Sequence, residues 1–68
     1  MIYAVTYSSK KWTRCKDFAN FSAASKFAKS KVTDYPAVLS ILDDKMRTIK
    51  EIRYFANGNT TETHFDLK

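Results

Sequence analysis

Ala37-Val38-Leu39-Ser40-Ile41-Leu42-Asp43-Asp44-Lys45-Met46-Arg47-Thr48-Ile49-Lys50-Glu51-Ile52-Arg53-Tyr54-Phe55 is the stretch whose reading decides the fold. Taken as one helix, Leu39, Leu42, Met46, Ile49 and Ile52 fall on a single stripe, with Pro36 suited to the first turn and Gly58 following the end. Taken as strands, Val38 to Leu42 is a short buried run, Asp43-Asp44-Lys45-Met46 is a turn, and Thr48 to Phe55 returns antiparallel. The two patterns are nearly balanced. The β-branched and aromatic content of Thr48-Ile49, Ile52 and Tyr54-Phe55 favours strands. So does Ala56-Asn57-Gly58-Asn59, a hairpin turn leading into Thr60 to Leu67, with a closing strand over Thr61 to Phe65.

Upstream, Tyr3, Val5 and Tyr7 alternate with Ile2, Ala4 and Thr6, the period of a strand. Ser8-Ser9-Lys10-Lys11 then reads as a turn. Beyond it Trp12, Arg14, Lys16 and Phe18 alternate with Lys11, Thr13, Cys15 and Asp17, and neither side is cleanly apolar, which places this arm near a sheet edge. Asn20 suits a helix N-cap, with Ser22 competing for that role. Phe21, Ala24, Phe27, Ala28 and Val32 follow at helical spacing, opposite Ser25, Lys26, Lys29 and Ser30, so the helix ends near Lys31 or Val32. Ala24 and Ala28 let its axis approach a sheet closely, and Phe21 and Phe27 fill the flanks. The fold expected is α+β: a small antiparallel sheet of three to five strands with one amphipathic helix packed on one face.

With 68 residues, 44% of them hydrophobic, the chain reads as a single compact domain over residues 1–68. A chain this small keeps apolar surface exposed, so pairing with a second copy is a further expectation. The single glycine, Gly58, excludes the glycine-rich phosphate cradles of most nucleotide-dependent enzymes. No cofactor is called for. One cysteine and one histidine, Cys15 and His64, cannot build a structural zinc site, and Cys15 has no partner for an internal disulfide. The N-terminus lacks the form of a secretory signal, and no apolar run approaches the length of a membrane span. The expected setting is the cytoplasm, with no membrane partner.

Charge is the most informative feature. The chain carries a net charge of +5, and it is unevenly placed. Residues 1–33 hold Lys10, Lys11, Arg14, Lys16, Lys26, Lys29 and Lys31 against the single carboxylate Asp17, whereas residues 34–68 are close to neutral. Lys10, Lys11, Arg14 and Lys16 surround Trp12, with Tyr3 and Tyr7 on the neighbouring strand, and Lys26 and Lys29 extend the patch from the helix. Such interleaving lets cations meet phosphates while an aromatic face stacks on a base. The competing reading makes Trp12 and Phe18 core residues and the lysines a solvated surface. Arg47, Glu51 and Arg53 fall on one side of a strand as a solvated charge run. Asp43-Asp44 read as turn residues that cap backbone groups.

Catalysis finds little support. Cys15 and His64 are the residue types of a thiolate–imidazole pair, but no third orienting group or oxyanion site accompanies them. The chain is therefore expected not to be an enzyme.

The segment Asn20-Phe21-Ser22-Ala23-Ala24-Ser25-Lys26-Phe27-Ala28, set between a short hairpin and further strands with an Asn-Gly turn, resembles small phage proteins. It looks like the anti-CRISPR proteins that bind type I surveillance complexes and, more loosely, phage antitoxins that silence host RNases. The resemblance implies a non-enzymatic inhibitor of a host protein or ribonucleoprotein complex, acting in the host cytoplasm. Those members that imitate DNA are acidic, and this chain is basic. Contact with guide RNA, target DNA or an acidic protein face fits it better. The alternative is a direct nucleic-acid-binding module, a small DNA or RNA regulator that uses the same basic surface.

Overall fold

The computed structural model describes residues 1–65. Asp66, Leu67 and Lys68, which end the run read from Thr60, lie outside the described residues. The elements run β1 (Ile2–Ser8), β2 (Thr13–Phe18), α1 (Phe21–Ser30), β3 (Ala37–Leu42), β4 (Thr48–Tyr54) and β5 (Thr60–His64). All strand pairs are antiparallel and form one open sheet in the order β2-β1-β3-β4-β5. The disputed stretch is thus two strands, and β2 is an edge strand as its mixed sides suggested.

Directly paired residues share a sheet face, so the register assigns every side chain to one of two surfaces. Val5 pairs with Lys16 and Leu39, and Leu39 in turn with Ile52. Val5, Leu39, Ile41, Ala37, Ile52 and Tyr54 are buried on the face that α1 covers. Ala24 and Ala28 of α1 are wholly buried against it, and their small side chains permit the close approach. The Ser25 and Tyr54 hydroxyls lie 3.1 Å apart and tie the helix to β4. Phe21 departs from the expectation for a flank-filling residue: it meets Tyr3 edge-on with ring centroids 6.0 Å apart yet stays 42% exposed. It opens the helix, where the sheet beneath no longer encloses it.

Among the described residues, no helix covers the opposite face. Along β1 and β3 it presents Ile2, Ala4, Thr6, Val38, Ser40 and Leu42, all half-buried.

The local signals act as their chemistry dictates. Asn20 Oδ1 accepts from the Ala23 N–H at 2.8 Å, so Asn20 and not Ser22 caps the helix. Asp43 Oδ1 accepts from the Lys45 and Arg47 N–H groups, each at 2.9 Å, and organises the β3–β4 turn. The register slips between Ile41 and Leu42, and Arg47 lies in the turn ahead of β4. Only Glu51 and Arg53 of the expected charge run therefore share a strand face; Arg47 is drawn to Asp43 instead, with Nε donating to Oδ2 at 2.8 Å. Among the described residues, no helix is long and apolar enough to cross a membrane.

A candidate anion-binding face

β2 runs along the outside of β1, with Arg14 opposite Tyr7, Lys16 opposite Val5 and Phe18 opposite Tyr3. Arg14, Lys16 and Phe18 consequently point to the helix-bearing side, and Thr13, Cys15 and Asp17 to the open one. Asp17, the one carboxylate of residues 1–33, is turned away from the cations beside it. A two-residue loop of Lys10 and Lys11 joins β1 to β2, closed by Ser9 N–H donating to the Trp12 carbonyl at 2.8 Å. Both lysines are exposed at this tip.

The aromatic side chains form a chain of contacts beneath these cations. Trp12 meets Tyr7 edge-on at 5.8 Å, Tyr7 meets Phe27 at 5.3 Å, and Phe27 meets Phe18 at 5.1 Å. Over them lie Arg14, 4.7 Å from the Trp12 centroid, and Lys16, 5.2 Å from Phe27 and 5.5 Å from Phe18. Each cation is attracted by the negative face of a ring while its head stays in water. Trp12 is 43% exposed, so it is a surface residue and not part of the core.

Not all of the candidate residues come together. Lys26 lines a groove with Phe18, Ala23, Phe27 and Ser30 on the β2 side, and also a second cleft with Phe21, Ser22, Ser25 and Lys29. Lys29 shares that second cleft with Lys26 but does not line the β2 groove, and it reaches a further cleft with Val32, Tyr54 and the Phe55–Thr60 turn. Lys31 was not singled out for the surface, yet its Nζ lies 5.3 Å from Phe27 and 5.7 Å from Tyr7. It caps the C-terminal end of α1, where the helix dipole also favours a cation. Its position four residues after Phe27 was the available signal, since residues at that spacing share a helix face.

The ion pairs found among the described residues are Asp43–Arg47 at 2.8 Å, Lys50–Glu62 at 2.6 Å and Glu51–Arg53 at 3.1 Å. All belong to the second half of the chain. Lys10, Lys11, Arg14, Lys16, Lys26, Lys29 and Lys31 take part in none of them.

Cys15 and His64 do not meet. They lie on β2 and β5, at opposite edges of a five-stranded sheet and roughly 19 Å apart by strand spacing. The register also turns Cys15 to the open face, beside Thr6, and His64 to the other, beside Lys50. Among the described residues, no group of three or more His, Cys, Asp or Glu side chains is placed to hold a metal ion.

Comparison with protein-family models, curated proteins and solved structures finds no match to this chain.

Proposed function

We propose that this chain is a non-enzymatic binding domain that docks through its β2–α1 face onto nucleic acid, displayed by a host ribonucleoprotein that it inhibits. What carries the reading is the separation of charge. Arg14, Lys16 and Lys31 lie over exposed and half-buried rings with Lys26 beside them, and among the described residues none of the four is ion-paired, whereas Arg47, Lys50 and Arg53 of the second half each pair with a carboxylate. Cations left without an internal partner attract phosphates and gain from counterion release. The rings beneath them supply flat surfaces on which a base can stack.

The anti-defence role rests on the order of elements around the Asn20–Ala28 segment and on the same basic surface. The cytoplasm is the compartment in which such a target is met. A domain that binds free nucleic acid as a regulator shares the surface and differs in the partner.

The experiment is binding of the purified protein to labelled duplex and single strands at low and moderate salt. Micromolar or tighter binding that weakens steeply with salt supports the reading. Absence of binding at low salt removes nucleic acid from it. Affinity capture from host lysate then separates the two partners, since an inhibitor retains one ribonucleoprotein in stoichiometric amount and a regulator does not.

A further inference from the structure

Between β2 and α1 runs a shallow groove of about 400 Å3, lined by Phe18, Ala23, Lys26, Phe27 and Ser30. Its floor is two rings with centroids 5.1 Å apart and planes inclined at 50°. Lys26 is the cation of the lining. Lys16 lies outside the lining but holds its ammonium 5.5 Å from the Phe18 centroid and 5.2 Å from that of Phe27, and Lys31 reaches Phe27 from the Tyr7 side. The two rings are only half-buried, and Ala23 beside them is exposed.

We infer that this groove is a seat for one unstacked nucleobase, and hence that the protein binds a single strand in preference to a duplex. The inference rests on the nucleic-acid reading above and narrows it. A ring floor can stack only on a base whose own face is free, and in a duplex those faces are taken by neighbouring base pairs. Lys26 in the lining and Lys16 beside the two rings suit the phosphates on either side of that base. Lys16 has a second function here: resting on Phe18 and Phe27 in the unbound protein, it covers the rings, and a phosphate draws it aside and opens them.

The site also extends along β2. Side chains two residues apart on a strand are about 6.8 Å apart, twice the roughly 3.4 Å rise per phosphate of a stacked strand. Arg14 and Lys16 therefore match every second phosphate of a stacked strand and consecutive phosphates of an extended one. Arg14 lies on Trp12, which continues the aromatic surface toward the β1–β2 tip.

The test compares a labelled oligothymidylate with a duplex of the same length, using the wild type, Phe18→Leu and Lys16→Gln. Phe18→Leu keeps an apolar side chain of similar volume and removes only the ring. The expected result is tighter binding of the single strand, a loss of at least about fivefold for that strand in Phe18→Leu, and little change for the duplex. Lys16→Gln is expected to weaken both. Equal affinity for strand and duplex, with Phe18→Leu unaffected, overturns the inference and leaves the wider nucleic-acid reading standing. Competition by polyglutamate on equal terms with the oligonucleotide also overturns it, because charge alone would then explain binding. Absence of binding to either nucleic acid overturns both.

Discussion

Met46 and Gly58 occupy the same step of two hairpin turns that are otherwise built alike. In one, Met46 N–H donates to the Asp43 carbonyl at 3.0 Å and Asp43 N–H to the Arg47 carbonyl at 2.9 Å; in the other, Gly58 N–H donates to Phe55 and Phe55 N–H to Asn59, both at 3.0 Å. Both residues are left-handed, with φ of 62° and 86°. This is the tight turn followed by a left-handed residue that joins strands through three-residue loops. Glycine adopts it without strain, whereas a side chain costs about 1–2 kcal/mol. A Cβ at Gly58 would meet nothing within 4 Å, so backbone strain alone sets the cost of Gly58→Ala. Gly58→Ala is expected to destabilise by about 1 kcal/mol and Met46→Gly to stabilise by up to about 1 kcal/mol, read from urea unfolding midpoints. Opposite signs at equivalent positions are the signature.

Ala24 and Ala28 are the points where α1 meets the sheet, both with no exposed surface. Leucine at either position has no room without lifting the helix. Ala24→Leu and Ala28→Leu are each expected to cost about 1–3 kcal/mol in chemical unfolding. Ala23→Leu, at an exposed position, is expected to leave stability nearly unchanged.

The elements upstream of Thr33 were legible because each carried one period. Residues 37–55 were harder, since Leu39, Leu42, Met46, Ile49 and Ile52 satisfy a helical stripe as well as a strand pattern. The structure shows why the stripe misleads: Met46 is 59% exposed in a turn, and Leu42 belongs to the open face. The cations of β2 were found from their interleaving with aromatics. Lys29 shares a cleft with Lys26 yet reaches toward the β4–β5 turn and not into the β2 groove. That divide depends on where the helix sits on the sheet, which no local pattern encodes.

Asp43 is expected to make the fold sensitive to acid. The Arg47 backbone N–H is the main influence holding its carboxyl below the usual carboxylate range; desolvation, the next in size, opposes it, and the Lys45 N–H and the Arg47 side chain add to the lowering. Glu62 is lowered in the same direction, first by its hydrogen bond from Lys50. A folded-state pKa below the unfolded one stabilises above the ordinary carboxylate value and loses that contribution as pH falls through the folded value. Thermal midpoints are therefore expected to decline from about pH 4 downward. Asp43→Asn is expected to lower the midpoint at neutral pH and to make that decline shallower. An unchanged pH profile would remove Asp43 from the account.

Trp12 is the one tryptophan of the chain and lies on the candidate face. Its fluorescence is expected to be quenched, and its emission shifted, when an oligonucleotide is added at low salt. The change is expected to reverse when salt is raised. Binding without any change at Trp12 would place the contact elsewhere.

The most direct test of the central claim is the salt dependence of oligonucleotide affinity for the wild type and for a variant with Arg14, Lys16, Lys26 and Lys31 all changed to Ala. Each phosphate contact contributes a slope of about 0.7 for a single strand in log affinity against log salt. The expected result is a steep wild-type slope and a shallow one in the variant, with affinity at low salt reduced by an order of magnitude or more, while Lys45→Ala behaves as wild type. Equal slopes for the wild type and the four-site variant would contradict the claim that this face binds nucleic acid.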